Sequence, residues 1–343
     1  MLKIGIAGAS GYTGVELVKL ISNHPSAELK LITSSRYAGK PFSDIFPSMR
    51  NFETLICEEL NPDALAGRVD LIFLALPHKV SMDYAPALVK KGIKVVDLSA
   101  DFRFTDVSAY EGAYQPHSAK KLLSESVYGL CEIYKDQIKD ATIIGNPGCY
   151  PTSILLPLIP LLREKLISPD GLISDSKSGV SGAGRSLSLT SHFCEADESF
   201  MPYKVGNHRH TPEINEQLSI HGNQTVSITF VPHLVPVIRG MVSTIYGRLS
   251  PGITRDDITR VYEKYYGEKP FVRCLKPGTY PAMSHVKGSN FCDIGFHVDK
   301  DQIIIVSAID NLIKGAAGQA VQNMNIMAGF PETTGLDYVQ SPL

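Results

Sequence analysis

The sequence lacks the features that mark several classes of protein. No apolar run approaches the roughly 18–20 residues that cross a bilayer, and Gly5 breaks the first apolar stretch too soon for a signal peptide. The net charge of −2 gives no field that would attract nucleic acid or an anionic membrane. We therefore expect a cytoplasmic protein with no membrane partner and no nucleic-acid partner.

The sequence also lacks any CxxC pair, although it contains six cysteines. Their spacing is long and uneven, which argues against a structural zinc site and against a disulfide framework. Most of the six are expected to be small core residues. No metal site is predicted.

The length of 343 residues predicts two domains, because most single domains hold about 100–200 residues. In the first part, buried apolar runs alternate with helical patterns, as in the α/β class with a Rossmann-type doubly wound parallel sheet. The predicted strands are 3–7, 29–33, 69–76, 93–98 and 141–145, and the predicted helices are 14–22 and 82–90.

The pattern changes after residue 151, where β-branched strands follow one another with few crossover helices. This predicts a second, α+β domain with a mainly antiparallel sheet. Residues 1–148 and 312–343 are expected to form one domain and 149–311 the other. The predicted strands are 172–177, 225–231, 240–249 and 303–309, and the predicted helices are 154–166, 212–218, 255–266 and 312–327.

A glycine-rich turn joins the first predicted strand to the first predicted helix, with glycines at 8, 11 and 14. Glycines allow a tight turn and a close approach to a pyrophosphate, which the helix N-terminus attracts. The turn therefore predicts a dinucleotide site, although a purely structural turn would also explain it. The predicted cofactor-binding residues here are Gly8, Ser10, Gly11, Tyr12, Thr13 and Gly14.

The end of the second strand indicates which dinucleotide binds. NAD sites often carry an acid there, whereas this chain has Ser34, Ser35 and Arg36. Two hydroxyls and a guanidinium suit a 2′-phosphate, so NADP is the predicted cofactor; the alternative is that Arg36 is a solvated loop charge. Leu76 and Pro77 are further cofactor candidates by position, after a later strand.

Cys149 lies in a turn that follows a buried strand and precedes a helix. A thiol at a helix N-terminus has a lowered pKa, and the neighbouring N–H groups suit a developing oxyanion. The alternative is an ordinary core cysteine. A thiolate beside a nicotinamide predicts attack on an activated acyl group, a thioester, and hydride reduction to an aldehyde.

Several longer motifs carry a family resemblance. The chain resembles the N-acetyl-gamma-glutamyl-phosphate reductase family of arginine biosynthesis, which is similar in fold and chemistry to aspartate-semialdehyde dehydrogenase. The matching segments are the glycine turn, 98–103, 146–152, 178–185, 208–214, 232–236 and 310–319.

The resemblance implies a small-molecule acyl phosphate as substrate and a histidine of the 208–214 segment as general acid and base. His210 is preferred and His208 comes second. The cofactor candidates that it adds are Gly182, Ala183, Gly184 and Asn311, and the substrate candidates are Arg103, Asn146, Glu213 and Lys314.

Alternatives stay open for several of these residues. Arg103 could instead pair with Asp97 or Asp101, Glu213 could orient a histidine or cap its helix, and Lys314 could belong to a plain helix start. The acyl group could be acetyl, succinyl or a carrier-linked aminoadipyl group. The exposed strands predict a homo-oligomer, either a dimer or a tetramer.

Three other functions compete with this one. They are reduction of another acyl phosphate, as in aspartate-semialdehyde dehydrogenase, a non-catalytic NADPH-binding sensor, and a thiol acyltransferase or hydrolase. A thiol acyltransferase or hydrolase would give the glycine turn no function. A non-catalytic sensor would give Cys149 and His210 no function.

Overall fold

The computed structural model describes residues 1–52 and 54–337, which divide into two compact units. Unit 1 holds Met1–Pro147 and Ala316–Asp337, and unit 2 holds Gly148–Gly315. Residues 338–343, which were predicted to belong to the first domain, lie outside the described residues. No helix within the described ranges is long and apolar enough to cross a membrane.

The sheet of unit 1 has seven strands, all paired in parallel, in the order β3-β2-β1-β4-β5-β7-β6. The order runs outward from β1 in both directions, so the predicted doubly wound parallel sheet is confirmed. Its strands are β1 (Leu2–Ala7), β2 (Ala27–Thr33), β3 (Cys57–Glu58), β4 (Leu71–Leu74), β5 (Lys94–Asp97), β6 (Val127–Tyr128) and β7 (Ile143–Gly145).

Seven helices complete unit 1. They are α1 (Tyr12–Ser22), α2 (Phe42–Ile45), α3 (Ser81–Lys90), α4 (Val107–Ala113), α5 (Lys120–Glu125), α6 (Cys131–Asp140) and α12 (Gly318–Ala328). Although α12 is rich in amides, its first ten residues are buried. Its Asn323 amide donates to the carbonyl of Gly129 at 2.8 Å and to Oδ1 of Asn146 at 3.1 Å. Hydrogen-bonded amides are therefore buried on this helix together with its apolar residues.

The sheet of unit 2 has seven strands in the order β12-β13-β14-β11-β8-β10-β9. Two of its pairs, β8 with β10 and β12 with β13, are parallel and the other four are antiparallel, which confirms the prediction. Its strands are β8 (Ile173–Gly179), β9 (Met201–Pro202), β10 (Thr229–Val235), β11 (Met241–Arg248), β12 (Val272–Cys274), β13 (Cys292–Asp299) and β14 (Gln302–Ile309).

The helices of unit 2 are α7 (Cys149–Arg163), α8 (Phe193–Ala196), α9 (Thr211–Gly222), α10 (Arg255–Tyr266) and α11 (Met283–Val286). The predicted start of α7 at 154 is wrong, because the helix begins at Cys149 and continues through two interior prolines. Each proline leaves a carbonyl four residues earlier without its helical donor. The Ser307 hydroxyl donates to the carbonyl of Ser153 at 2.6 Å, and the Tyr266 hydroxyl donates to that of Leu156. Side chains from β14 and α10 thus replace the missing bonds.

Short and polar strands account for the other differences from prediction. The strands β3, β6, β9 and β12 hold only two or three residues each, and β13 alternates apolar with charged or polar residues. None of the five was predicted. The predicted strand 225–231 lies four residues later, at β10.

Candidate active site

The glycine turn lies between the end of β1 and the start of α1. Gly8 has φ +80°, and a Cβ added to it would lie 2.2 Å from the carbonyl oxygen of Ala75. A Cβ at Gly14 would lie 2.4 Å from the carbonyl oxygen of Gly8, whereas one at Gly11 would meet nothing closer than 3.6 Å. Packing therefore requires glycine at 8 and 14 but not at 11, whose predicted role in cofactor binding stays a prediction.

The start of α1 suits a phosphate. Gly11 precedes the helix in extended backbone, and no side-chain cap and no acidic residue in the first turn occur there. The predicted Tyr12 and Thr13 form that first turn. A helix start without a carboxylate leaves its N–H groups and its partial positive charge for an anion.

Serines and one arginine follow β2 beside this turn. The hydroxyls of Ser10 and Ser34 are hydrogen-bonded at 2.9 Å. Ser35 and Arg36 lie exposed in a 3₁₀ turn, with the Arg36 guanidinium 5.3 Å from the ring centroid of Tyr37. An exposed guanidinium on a short rigid turn fits a 2′-phosphate better than a ribose hydroxyl.

The other cofactor candidates of unit 1 follow β4. Leu76 is partly exposed and Pro77 is exposed. The segment after them is tied down by Asp101, whose carboxylate accepts from the N–H of Lys79 at 2.7 Å and of Met82 at 3.2 Å. This holds the loop after β4 against the loop after β5.

The loop after β5 also places Arg103. Its Nε donates to the carbonyl of Asn146 and its Nη2 to that of Leu98, both at 2.7 Å. Asp97 is fully buried, and burial, followed by the charge of Asp101, raises its pKa to about 7. Arg103 thus donates to two main-chain carbonyls, and its role as a substrate ligand stays a prediction.

Cys149 is the first residue of α7 and is partly exposed. The N–H of Gly148, the residue before it, donates to Oε1 of Glu213 at 3.0 Å. Glu213 is buried in the first turn of α9, and His210 directly precedes that helix. The hydrogen bond therefore joins the N-termini of α7 and α9, which brings the cysteine turn and the histidine segment to one place in unit 2.

His208 and His210 lie in different surroundings, although both are buried. Nδ1 of His208 accepts from the N–H of His210 at 3.1 Å, and its ring is enclosed by those of Tyr150, Tyr203 and Phe230 at 5.3–5.5 Å between centroids. Burial, then the charges of Arg209 and Lys204, lower the pKa of His208 to about 3. A base this weak holds no proton near pH 7, which favours His210 as the predicted proton carrier.

The remaining candidates are held by hydrogen bonds or by burial. Oδ1 of Asn146 accepts from Asn323, and its Nδ2 donates to the carbonyl of Ala316 at 3.2 Å, within unit 1. In unit 2, Nδ2 of Asn311 donates to Oγ of Ser181 at 2.9 Å. Oδ1 of Asn311 accepts from the N–H of Gly240 at 2.8 Å. These contacts fix loops, and the ligand roles of both asparagines stay predictions.

Lys314 is fully buried, with its Nζ 5.8 Å from the ring centroid of Phe271. Gly182, Ala183 and Gly184 form an exposed loop that ends a 3₁₀ turn, and Gly184 has φ +82°. Their predicted contacts with substrate or cofactor stay predictions.

With this geometry in hand, comparison with known proteins identifies the family. Residues 3–141 match the model for the semialdehyde dehydrogenase NAD binding domain, and 149–311 match that for its dimerisation domain. Curated proteins named N-acetyl-gamma-glutamyl-phosphate reductase align over nearly the whole chain. The one from Desulforapulum autotrophicum is 60% identical over 98% of both chains, and the one from Geobacter sulfurreducens is 52% identical over 98% of both.

The chain belongs to the N-acetyl-gamma-glutamyl-phosphate reductase family. The predicted resemblance, the oxidoreductase class and the NAD(P)-binding domain are thereby confirmed.

Solved structures show the same fold at lower identity. Aspartate-semialdehyde dehydrogenase II from Vibrio cholerae has a TM-score of 0.73 at 16% identity and covers 99% of both chains. The enzyme from Candida albicans, solved with NADP, has a TM-score of 0.71 at 20% identity and covers 96% of this chain and 99% of its own. At these identities the likeness supports the architecture, and the family assignment rests on the closer relatives.

Three residues of this reductase-family site were missed from sequence. Tyr150 and Tyr203 enclose His208, and their hydroxyls lie 3.2 Å apart. Burial raises the pKa of Tyr203 to about 12. Gly315 packs directly against Cys149. The aromatic pair gives no periodic signal, since 53 residues separate its members along the chain.

Proposed function

We propose that this chain reduces an N-acyl-gamma-glutamyl phosphate to the N-acylglutamate semialdehyde with NADPH, through a thioester on Cys149. The observation that carries the proposal is the joined pair of helix N-termini in unit 2. One presents the thiol as its first residue, and the other is preceded by His210. Since the named relatives carry an acetyl group in their names, we propose N-acetyl as the acyl group.

In the first step, the Cys149 sulfur attacks the gamma-carbonyl carbon. A carbon–sulfur bond forms, the carbon–oxygen bond to phosphate breaks, and phosphate leaves with the electron pair. Gly148 is held by Glu213, which fixes the start of α7 and thus the position of the sulfur. The helix N-terminus stabilises both the thiolate and the developing oxyanion.

When the semialdehyde leaves Cys149, a proton must reach the substrate oxygen or the Cys149 sulfur. His210 is the proposed carrier because His208 is neutral and its Nδ1 already accepts the N–H of His210. His208 therefore acts as a positioning residue that fixes the backbone of its neighbour. The rings of Tyr150 and Tyr203 keep water away from that side of His208.

The cofactor site of unit 1 fits NADPH. Gly8, Gly11 and Gly14 shape the turn for the pyrophosphate, and Ser34, Ser35 and Arg36 suit the 2′-phosphate. When bound, NADPH supplies the hydride that reduces the thioester. Arg103 carries a planar guanidinium in the loop after β5, so it is a proposed ligand for a substrate anion.

We propose that unit 1 is the cofactor domain and that unit 2 carries catalysis and homo-oligomerisation, as a dimer. One face of the unit 2 sheet packs against α7, while side chains of the opposite face, including Val242, Thr244, Val306 and the exposed Tyr246, stay partly open. A second copy would cover this face.

Light scattering tests the proposed dimer. The wild type should be a dimer, Val306→Lys should shift towards monomer, and Ile56→Lys should behave as the wild type does. A monomeric wild type would refute the proposed dimer.

A cytoplasmic location belongs to the same proposal. All six cysteines lie in the described residues and none of them forms a disulfide, as a reducing compartment requires.

The reverse reaction tests the function. The protein is incubated with N-acetylglutamate semialdehyde, phosphate and NADP, and absorbance of the reduced cofactor is followed. Wild type should be active, and Cys149→Ser should lose roughly 10³-fold or more of the rate. Parallel assays with N-succinylglutamate semialdehyde and aspartate semialdehyde test the acyl group and the related chemistry. Unchanged activity in Cys149→Ser would refute the covalent route, and no activity in wild type would favour a sensor.

A further inference from the structure

A π-helical turn, Ile313–Ala317, follows β14. The N–H of Gly315 donates to the carbonyl of Asp310 at 2.9 Å, five residues earlier, which is the hydrogen bond that defines such a turn. Single π turns are rare and often lie at functional sites. Lys314 within this turn is a predicted substrate ligand, but the reaction described above gives its other residues no task.

Gly315 lies against the nucleophilic residue. A Cβ added to it would lie 2.7 Å from Cβ and 3.1 Å from Cα of Cys149, and 3.3 Å from Cδ1 of Ile309. The first two atoms belong to the start of α7 and cannot rotate away. The third is the end of a flexible side chain. Any side chain at 315 must therefore displace either the π turn or Cys149.

The π turn is firmly held. Oδ1 of Asp310 accepts from the N–H of Leu312 at 2.8 Å and of Ile313 at 3.0 Å. The same buried carboxylate takes two hydrogen bonds from Arg239, each at 3.1 Å. This buried, charge-assisted network resists displacement of the turn, so a Cβ at 315 would also press on Cys149 at the start of α7.

We propose that Gly315 is a positioning residue for the nucleophile. The bare backbone of the π turn is the wall against which the Cα–Cβ bond of Cys149 rests, and this sets the direction in which the sulfur points. The inference rests on the proposed function, because it takes Cys149 to be the residue that attacks the substrate.

Gly315→Ala tests the inference in the full-length protein. We expect kcat of the reverse reaction to fall by roughly 10- to 100-fold, because displacement of a reacting atom by about 1 Å has that cost. The KM values for semialdehyde and NADP should stay within about threefold, since no ligand contact is removed. The rate at which iodoacetamide alkylates Cys149, measured on its own peptide by mass spectrometry, should change with kcat. Gly112→Ala is the matched control, because a Cβ at that helical glycine meets nothing within 4 Å.

A second variant separates positioning from general packing. In Gly315→Ala/Ile309→Val the contact with Ile309 is relieved, but the contact with Cys149 remains. Because the shorter contacts with Cys149 remain, we expect kcat and the alkylation rate to stay low in the double variant and to be kept in Ile309→Val alone, and the double variant carries the test should Gly315→Ala alone prove too unstable to purify. Recovery of kcat in the double variant, or an unchanged kcat in Gly315→Ala, would overturn the inference. Activity retained in Cys149→Ser would instead overturn the proposed function.

Discussion

Two helices of this protein begin in nearly the same way and serve different ends. Gly11 precedes α1 with φ −79° and ψ 164°, and Gly148 precedes α7 with φ −69° and ψ 159°. Neither helix has an acidic residue in its own first turn. The backbone alone therefore does not distinguish the proposed phosphate-binding helix start from the one that carries the proposed nucleophile.

The surroundings make the difference. Beside Gly11 there is room for a ligand, and its hydrogen bonds are local, since its N–H donates to the carbonyl of Gly8. Beside Gly148, the space is filled by groups from far along the chain, with Glu213 on its N–H and Gly315 behind Cys149. The open helix start leaves space that suits the proposed anion, whereas the enclosed one holds the proposed nucleophile in a fixed position.

The largest effect should come from the enclosed start. His210→Asn removes the proposed proton carrier, and we expect kcat to fall by roughly 10²–10⁴-fold, the usual contribution of general acid–base catalysis. The acidic limb of the pH–rate profile should disappear with it. His208 contributes no such limb near neutrality because its pKa is already lowered to about 3.

His208→Asn is the comparison for that variant. It should lower kcat less and leave the acidic limb in place, since an amide oxygen can still accept the N–H of His210. If the acidic limb is lost in His208→Asn and kept in His210→Asn, then His208 is the proton carrier and His210 is not.

The next largest effect separates two glycines of the open start. Gly8→Ala should lower the free energy of unfolding by about 2 kcal/mol or more, because φ +80° is strained for alanine and its Cβ would clash with Ala75. Gly11→Ala should change it by less than about 1 kcal/mol, since φ −79° suits any residue. The KM of Gly11→Ala for NADPH should nevertheless rise, because the added Cβ would occupy space that the proposed cofactor needs. Denaturant titration and steady-state kinetics measure both. Equal stability of the two variants would contradict the reading of the turn.

The different surroundings of the α1 and α7 starts also explain how much of each could be predicted from the sequence. The glycine turn and α1 lie within a few residues of one another, so the pattern of glycines and apolar residues sufficed. The contact between Gly148 and Glu213 spans 65 residues, and no local pattern reports it. Only the family resemblance pointed to the histidine segment.

The fold shows the same limit. Parallel strands such as β4, with four buried apolar residues, were predicted, whereas β13 was missed because charged and polar residues alternate along it. The strand β10 was predicted four residues too early, and Pro232 within it gives no ladder hydrogen bond. The helix α7 was predicted to begin only at 154, and the hydroxyls of Ser307 and Tyr266 stabilise it where Pro157 and Pro160 interrupt its hydrogen bonds.

A smaller effect is expected from a variant that tests which cofactor binds beside the start of α1. Arg36→Asp is expected to raise the KM for NADPH by roughly 10- to 100-fold, the loss of a charge-assisted contact with the 2′-phosphate. The KM for NADH should change much less. Arg50→Asp, in the 3₁₀ turn Pro47–Phe52, is a control for the change in charge. Equal effects of Arg36→Asp on both cofactors would remove the assignment of NADP to this turn.

The smallest effect tests how the enclosed start is held. Glu213→Ala removes the acceptor of the Gly148 N–H, and we expect kcat to fall by roughly 10-fold through loss of a buried hydrogen bond to a carboxylate. Glu213→Gln keeps an oxygen for that N–H, so most of the rate should remain if the residue only positions α7. If Glu213 instead orients a histidine by its charge, Gln should be as slow as Ala, with a shifted pH–rate profile. The ratio of the two variants thus decides whether α7 is held by geometry alone or by a charge that catalysis also uses.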